Sequence, residues 1–172
     1  VSDPVVLDRL VLRPARTGDV RTIRTFIDAY STDGRLLSKA TVTLFEAVQE
    51  FLVAELDGEV IGCGALHVMW EDLAEVRTLA VDPAFVGKGV GSELLTTLMD
   101  RARAVGVKRV FCLTFMVDFF AGHGFVEIDD TPVDHTVYEQ LLQSYDEGVA
   151  EFLGLERVKP NTLGNHRMLA IL

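Results

Sequence analysis

Three glycines alternate at positions 87, 89 and 91, in the run Asp82-Pro-Ala-Phe-Val-Gly-Lys-Gly-Val-Gly-Ser92. Glycines let successive backbone N–H groups point into one concavity, and a helix N-terminus adds a partial positive charge. That combination suits a pyrophosphate, and Lys88 is placed to add a direct charge contact. A Walker loop would need Ser or Thr after the lysine, and here Gly89 follows Lys88. A dinucleotide fingerprint would need glycine where Ser92 stands. A purely structural turn would carry one or two glycines, not three in alternation. Just upstream, Glu75 offers a proton acceptor and Arg77 a bidentate grip on a carboxylate. Period-2 alternation along a strand puts Glu75 on the same side as Arg77, Leu79 and Val81. The plainer alternatives are an exposed strand-end carboxylate for Glu75 and a salt bridge between the two for Arg77.

These groups need a scaffold, and the apolar spacing supplies one. Leu10 to Arg13 reads as a strand ended by Pro14, and Thr17-Gly18-Asp19 as the start of a helix with Val20, Ile23, Ile27 and Tyr30 on one face. Thr32-Asp33-Gly34 breaks the chain. A short helix from about Thr41 to Glu50 uses Leu44, Phe45 and Val48. Phe51 to Leu56 and Val60 to Val68 form a hairpin turned at Asp57-Gly58, with Gly62 and Gly64 marking a bulge or a close backbone approach. Glu75 to Val81 is the strand before the glycine loop. A helix over about Gly91 to Val105 buries Val90, Leu94, Leu95, Leu98, Ala102 and Val105, and Gly106 caps it. Val110 to Thr114 is a buried strand, Asp118 to His123 a single helical turn and Phe125 to Ile128 a strand. Val137, Leu141, Tyr145, Val149 and Phe152 predict one long helix, and Met168 to Leu172 a closing strand. The alternation of elements predicts an α/β or α+β chain.

Composition narrows the partners. A chain of 172 residues is expected to form a single domain, 1–172, with its own core. Net charge is −10, which disfavours general attraction to nucleic acid or to an anionic membrane, so positive charge for an anionic ligand must be local. Cys63 and Cys112 lie in apolar runs and read as small buried hydrophobes, not as a disulfide or metal pair. His67, His123, His135 and His166 show no metal spacing, so no metal is expected. Without a secretory signal or an apolar run of spanning length, the expected location is the cytoplasm. If the chain associates, a homodimer is the commonest closed assembly.

Strand, Asp-Pro turn, Gly-x-Gly-x-Gly, amphipathic helix, strand and then Phe119-Phe120-Ala-Gly-His-Gly-Phe125 together resemble the GCN5-related N-acetyltransferase (GNAT) family, over Leu10 to Ile128. The resemblance implies a mixed, mostly antiparallel sheet with a splayed central parallel strand pair flanked by helices. It implies acetyl-CoA as co-substrate, lying between Glu75–Val81 and Val110–Thr114. It assigns pantetheine to the backbone of Leu79 and Val81, and pyrophosphate to the amides of Gly87, Lys88, Gly89, Val90, Gly91 and Ser92. An N–H near Leu79 or Ala80 would hold the oxyanion. Two positions depart from the family: Val86 stands where Gln or Arg is usual, and Phe120 where many members have a proton-donating tyrosine. Thr114 or a water then donates the proton, or CoA leaves as the thiolate. His123 is placed along the CoA channel.

Flanking segments resemble, more narrowly, the short single-domain acetylglutamate synthases of arginine biosynthesis. They are Gly34-Arg-Leu-Leu-Ser-Lys39, Glu50-Phe-Leu-Val-Ala54, Ser144-Tyr-Asp-Glu-Gly148 and Lys159-Pro-Asn-Thr-Leu-Gly-Asn-His-Arg-Met168. That likeness implies L-glutamate as acceptor, with L-glutamine an alternative that differs only at the side-chain end. The α-amino group, with a reference pKa of roughly 8, must lose a proton before attack. Glu75 aligns with the acidic residue credited as that base, acting through water. Lys39, Arg77, Asn165 and Arg167 are the substrate-binding candidates. Longer relatives carry an arginine-binding kinase-like domain, for which 172 residues leave no room. Rival expectations are acetylation of protein N-termini or another small amine, and a non-catalytic CoA-binding sensor.

Overall fold

The computed structural model describes residues 3–31, 39–155 and 165–172. They divide into two compact units, one taking the chain up to His67 together with Val76–Val105, the other Val68–Glu75 and the chain from Gly106 onward. The first unit opens with helix α1 (Pro4–Leu7), which Asp3 caps by accepting from the Val5 amide at 3.1 Å. Strand β1 (Leu10–Pro14) and a 3-10 turn over Thr17–Asp19 lead into α2 (Val20–Ser31). Arg13 fixes this corner, donating to both Asp19 oxygens at 2.8 and 3.0 Å and to Glu55 at 2.8 Å. The guanidinium in turn holds the Asp19 carboxyl below the usual carboxylate range.

Helix α3 (Thr41–Glu46) stops earlier than predicted and passes into a 3-10 turn over Val48–Glu50. In so short a helix only Leu44 reaches the core, and Phe45, about 100° further round, is exposed. Strands β2 (Phe51–Leu56) and β3 (Glu59–Trp70) form the predicted hairpin, and Asp57 and Gly58 both take positive φ, +52° and +86°, as a tight hairpin turn requires. The register shifts at Ala54/Glu55, opposite Gly62, so a bulge and a close approach both occur here. After β4 (Leu73–Val81), α4 (Val90–Val105) buries the predicted residues and Met99, but Val105 is exposed at its last position before Gly106. The core of this unit joins Val20, Ile23 and Ile27 of α2 to Leu44, Val53, Cys63 and Ala80.

The second unit contains β5 (Arg109–Thr114), α5 (Val117–Ala121), a two-residue β6 (Val126–Glu127), α6 (His135–Leu141), α7 (Glu147–Phe152) and β7 (His166–Ile171). The long helix predicted through Val137 and Phe152 is therefore two helices. Ser144 and Asp146 offer the backbone local bonds that compete with a helical ladder. The Asp146 amide donates to Ser144 Oγ at 3.1 Å, and the Asp146 carboxylate caps α7 at the Val149 amide, 2.9 Å away. Tyr145, counted on the apolar face, is 98% exposed in the break. Leu73, Phe111, Leu141, Val149 and Phe152 form the core of this unit.

Hydrogen-bonded neighbours give the seven-stranded order β1-β2-β3-β4-β5-β7-β6, with β3 and β4 each beginning in one unit and ending in the other. The β4–β5 pairing is parallel, over Leu73↔Arg109, Ala74↔Val110 and Glu75↔Phe111. The β1–β2, β2–β3, β5–β7 and β6–β7 pairings are antiparallel, which is the mixed sheet the resemblance implies.

Candidate functional site

In the first unit the loop after β4 is tied down before its glycines begin. The Asp82 amide donates to the Ile61 carbonyl at 2.8 Å, and the Asp82 carboxylate accepts from the Ala84 amide at 2.9 Å. Gly87 and Gly89 then take φ of +81° and +93°, conformations that glycine adopts without a Cβ penalty. A Cβ on Gly87 would meet no heavy atom within 4 Å, so the loop is open at this point. The amides opening α4 have no intrahelical acceptor, and the 16-residue helix adds its dipole. Open backbone donors at a long helix N-terminus fit a pyrophosphate, the group by which acetyl-CoA would be held. Val90 is buried and anchors the loop to the core, Gly91 and Ser92 are half-buried, and Val86 is exposed, leaving an apolar side chain at the departing position.

Two partners of this loop are not evident from the spacing. The Asp3 amide donates to the Lys88 carbonyl at 2.9 Å, and Lys88 Nζ stands 3.1 Å from the Asp3 carboxylate, which this contact holds below its ordinary pKa. Lys88, expected to meet the ligand directly, is thus ion-paired within the protein. Asp3-Pro4 does carry a helix-start signal, but nothing in it names a partner 85 residues away. Tyr30, read only as part of an apolar face, donates its hydroxyl to the Val81 carbonyl at 2.5 Å. Leu79 is half-buried beside Gly64, and Ala80 is buried in the core.

Along β4 the accessibility alternates from Val76 to Val81, with Arg77, Leu79 and Val81 half-buried and Val76, Thr78 and Ala80 buried, while Glu75 is buried. Thr78 has φ +57° in the middle of β4, a local irregularity of the strand. Arg77, half-buried, lies just before Thr78 in the first unit. Lys39 is half-buried, and its carbonyl accepts from Arg24. Residues 34–38 and 159–164 of the flanking motifs lie outside the described residues.

In the second unit Glu75 is 5% exposed and sits inside the parallel ladder opposite Phe111, which removes the exposed strand-end alternative. Thr114 is buried, and its Oγ1 accepts from the Met116 amide at 2.8 Å. Phe120, in the usual tyrosine position, is a core ring packed edge-on against Phe119 and Phe125, both centroids 5.2 Å away. His123 Nδ1 stands 2.8 Å from the Phe119 carbonyl and its ring 4.8 Å from the Phe119 ring, which fastens the imidazole to its own turn. Asn165 is half-buried just before β7.

Arg167 has a different setting from the one its residue type suggests. Nε donates to the Asp130 carbonyl at 3.3 Å, Nη1 to the Glu151 carbonyl at 3.4 Å, and Nη2 to the Phe152 carbonyl at 2.6 Å and Thr131 Oγ1 at 3.5 Å. Its guanidinium lies over the rings of Phe111 and Phe152, at 5.1 and 5.8 Å. Burial lowers its proton affinity, while the carboxylates of Asp130, Glu151 and Glu75 act in the other direction. Four of its five N–H groups are engaged by protein oxygens, so a bidentate grip on a substrate carboxylate is not on offer in this arrangement.

A groove of about 480 Å³ in this unit, lined by Trp70, Asp72, Arg109, Asp130 and Val137 among others, contains none of the expected site residues. Among the described residues no group of three or more His, Cys, Asp or Glu side chains could hold a metal, and no helix is long and apolar enough to cross a membrane.

Comparison with known proteins agrees with the loop. The profile of the Acetyltransferase (GNAT) family matches residues 22–125. The chain is 55% identical over 168 residues to an amino-acid acetyltransferase of Mycobacterium tuberculosis, covering 95% of each. A Mycobacterium tuberculosis protein crystallised in complex with CoA and NLQ superposes with a TM-score of 0.91 at 55% identity, covering 94% of this chain and 99% of that one. N-acetylglutamate synthase of Neisseria gonorrhoeae, complexed with coenzyme A and N-acetyl-glutamate, superposes with a TM-score of 0.76 at 26% identity, covering 95% of this chain but 35% of that one. Since the profile covers more than half of the chain and a relative with 55% identity nearly all of it, this protein belongs to the Acetyltransferase (GNAT) family and is an acetyltransferase with acetyl-CoA as its co-substrate.

Proposed function

We propose that the chain acetylates the α-amino group of L-glutamate, with L-glutamine as a second acceptor, and works as a single domain in the cytoplasm. The observation that carries this reading is Glu75: a carboxylate buried within the parallel β4–β5 ladder, in a chain 55% identical to an amino-acid acetyltransferase. A carboxylate held out of bulk water at this point of β4 is placed to take the ammonium proton, directly or through a water. The amides from Gly87 to Ser92 bind the pyrophosphate, and the backbone of Leu79 and Val81 the pantetheine arm. An N–H near Leu79 or Ala80 steadies the carbonyl oxygen as charge develops. Arg77, Lys39 and Asn165 orient the amino acid. With Phe120 in the core, the CoA sulfur leaves as a thiolate or takes its proton from Thr114 or water; its reference pKa is about 8.5 by analogy with cysteine.

The test is acetyl-CoA with a panel of amino acids and peptides, followed by release of free thiol. Turnover with glutamate or glutamine is expected. Turnover of peptide N-termini alone would replace the acceptor, and CoA binding without any turnover would make the protein a sensor. Glu75→Gln should bind CoA normally and lose at least 100-fold in kcat; an unchanged rate would remove Glu75 as the base.

A further inference from the structure

We infer that Arg167 is a positioning residue, which holds the end of α7 and the Asp130–Thr131 turn against the strand that carries Phe111, and so fixes the setting of Glu75. This rests on Glu75 as the base. The guanidinium reaches three backbone carbonyls and one hydroxyl from two separate segments, Asp130–Thr131 and Glu151–Phe152. Two of those carbonyls close the last turn of α7, where a cation also complements the helix dipole. Thr131 Oγ1 itself donates to the Phe152 carbonyl at 3.3 Å, so the two segments are linked through one oxygen as well as through the arginine.

The same side chain packs over an aromatic pair. The rings of Phe111 and Phe152 meet edge-on with centroids 4.8 Å apart, and the guanidinium covers both. Phe111 is the residue registered opposite Glu75, and Leu113, two residues on, pairs with Arg167 itself across β5 and β7. Any shift of α7 is therefore passed through two packed rings to the backbone beside Glu75. Lysine cannot replace this arrangement, because an ammonium offers no planar fork to span two segments.

Kinetics of Arg167→Gln and Arg167→Lys, with thermal melts and CoA affinity measured on the same preparations, test the assignment. A positioning role predicts kcat at least tenfold lower in both variants, with KM for the acceptor and affinity for CoA within about threefold of the parent, since an ångström of misplacement costs about 100-fold. A raised acceptor KM with unchanged kcat would overturn it in favour of direct substrate binding. A lower melting temperature with unchanged kcat per folded molecule would overturn it in favour of a purely structural role. Should Arg167→Gln fail to fold, Arg167→Lys alone decides, and full activity there would overturn the inference. Glu75→Gln run alongside separates the two readings: if it stays active, Glu75 is not the base, whatever the Arg167 variants show.

Discussion

Gly64 is the position at which a single methyl should be most informative. An alanine Cβ there would stand 2.8 Å from Leu98 Cδ1 and 3.0 Å from Leu79 Cδ1, whereas carbon atoms settle at about 3.5–4.0 Å. Leu98 is fully buried on α4, so its methyl has little room to retreat, and the strain passes to Leu79 on β4. Overpacking of this kind costs roughly 1–3 kcal/mol, offset by about 0.4–1 kcal/mol because alanine is less free than glycine in the unfolded chain. The net effect of Gly64→Ala is about 1–2 kcal/mol of lost stability, or a Tm lower by roughly 2–8 °C for a chain of this size. Circular-dichroism melts measure it, with Gly18→Ala as control because no heavy atom lies within 4 Å of its Cβ position. Because Leu79 also belongs to the proposed pantetheine contact, KM for acetyl-CoA should rise in the same variant. A Tm equal to or above that of the parent would refute the packing argument, and an unchanged KM its link to the ligand.

Other consequences are as direct. Asp19→Asn should lower Tm near neutral pH. Arg13 depresses the folded-state pKa of Asp19, so this stabilisation exists above the ordinary carboxylate value of roughly 3.9 and fades as pH falls through the folded value. The gap between parent and variant should therefore close in acid, and a gap independent of pH would show that charge is not its cause. Burial pushes the Cys63 thiol up to about 12 and raises Cys112 as well, so Ellman's reagent should find no fast thiol in the native protein and both after unfolding. Rapid labelling of the folded protein would contradict that burial. Asp3→Asn removes the ion partner of Lys88 but keeps the Asp3 amide bond to the loop. Calorimetry should then show tighter CoA binding at low salt, with the gain lost near about 1 M salt, where charges are screened beyond about 3 Å. Affinity that does not change would mean that Lys88 does not meet the ligand.

The loop, the hairpin and the face of α4 were legible in the sequence because each is set by neighbours only a few residues apart. Glycines at 87 and 89 declare positive φ, Asp57-Gly58 declares a tight turn, and Leu94, Leu95, Leu98 and Ala102 declare one buried face. Local competition was harder to read: Ser144 and Asp146 end a helix whose apolar spacing continues through them. The rest was decided by tertiary contact. Thr78 carries no residue-type signal for φ +57°, yet it takes that conformation in the middle of β4. Asp3 and Lys88 meet across 85 residues, and Tyr30 reaches Val81 across 51. Arg167 was chosen from sequence as a cation for substrate. Only the fold brings the carbonyls of Asp130, Glu151 and Phe152 to its fork, because backbone acceptors are the same in every residue and leave no trace in the sequence.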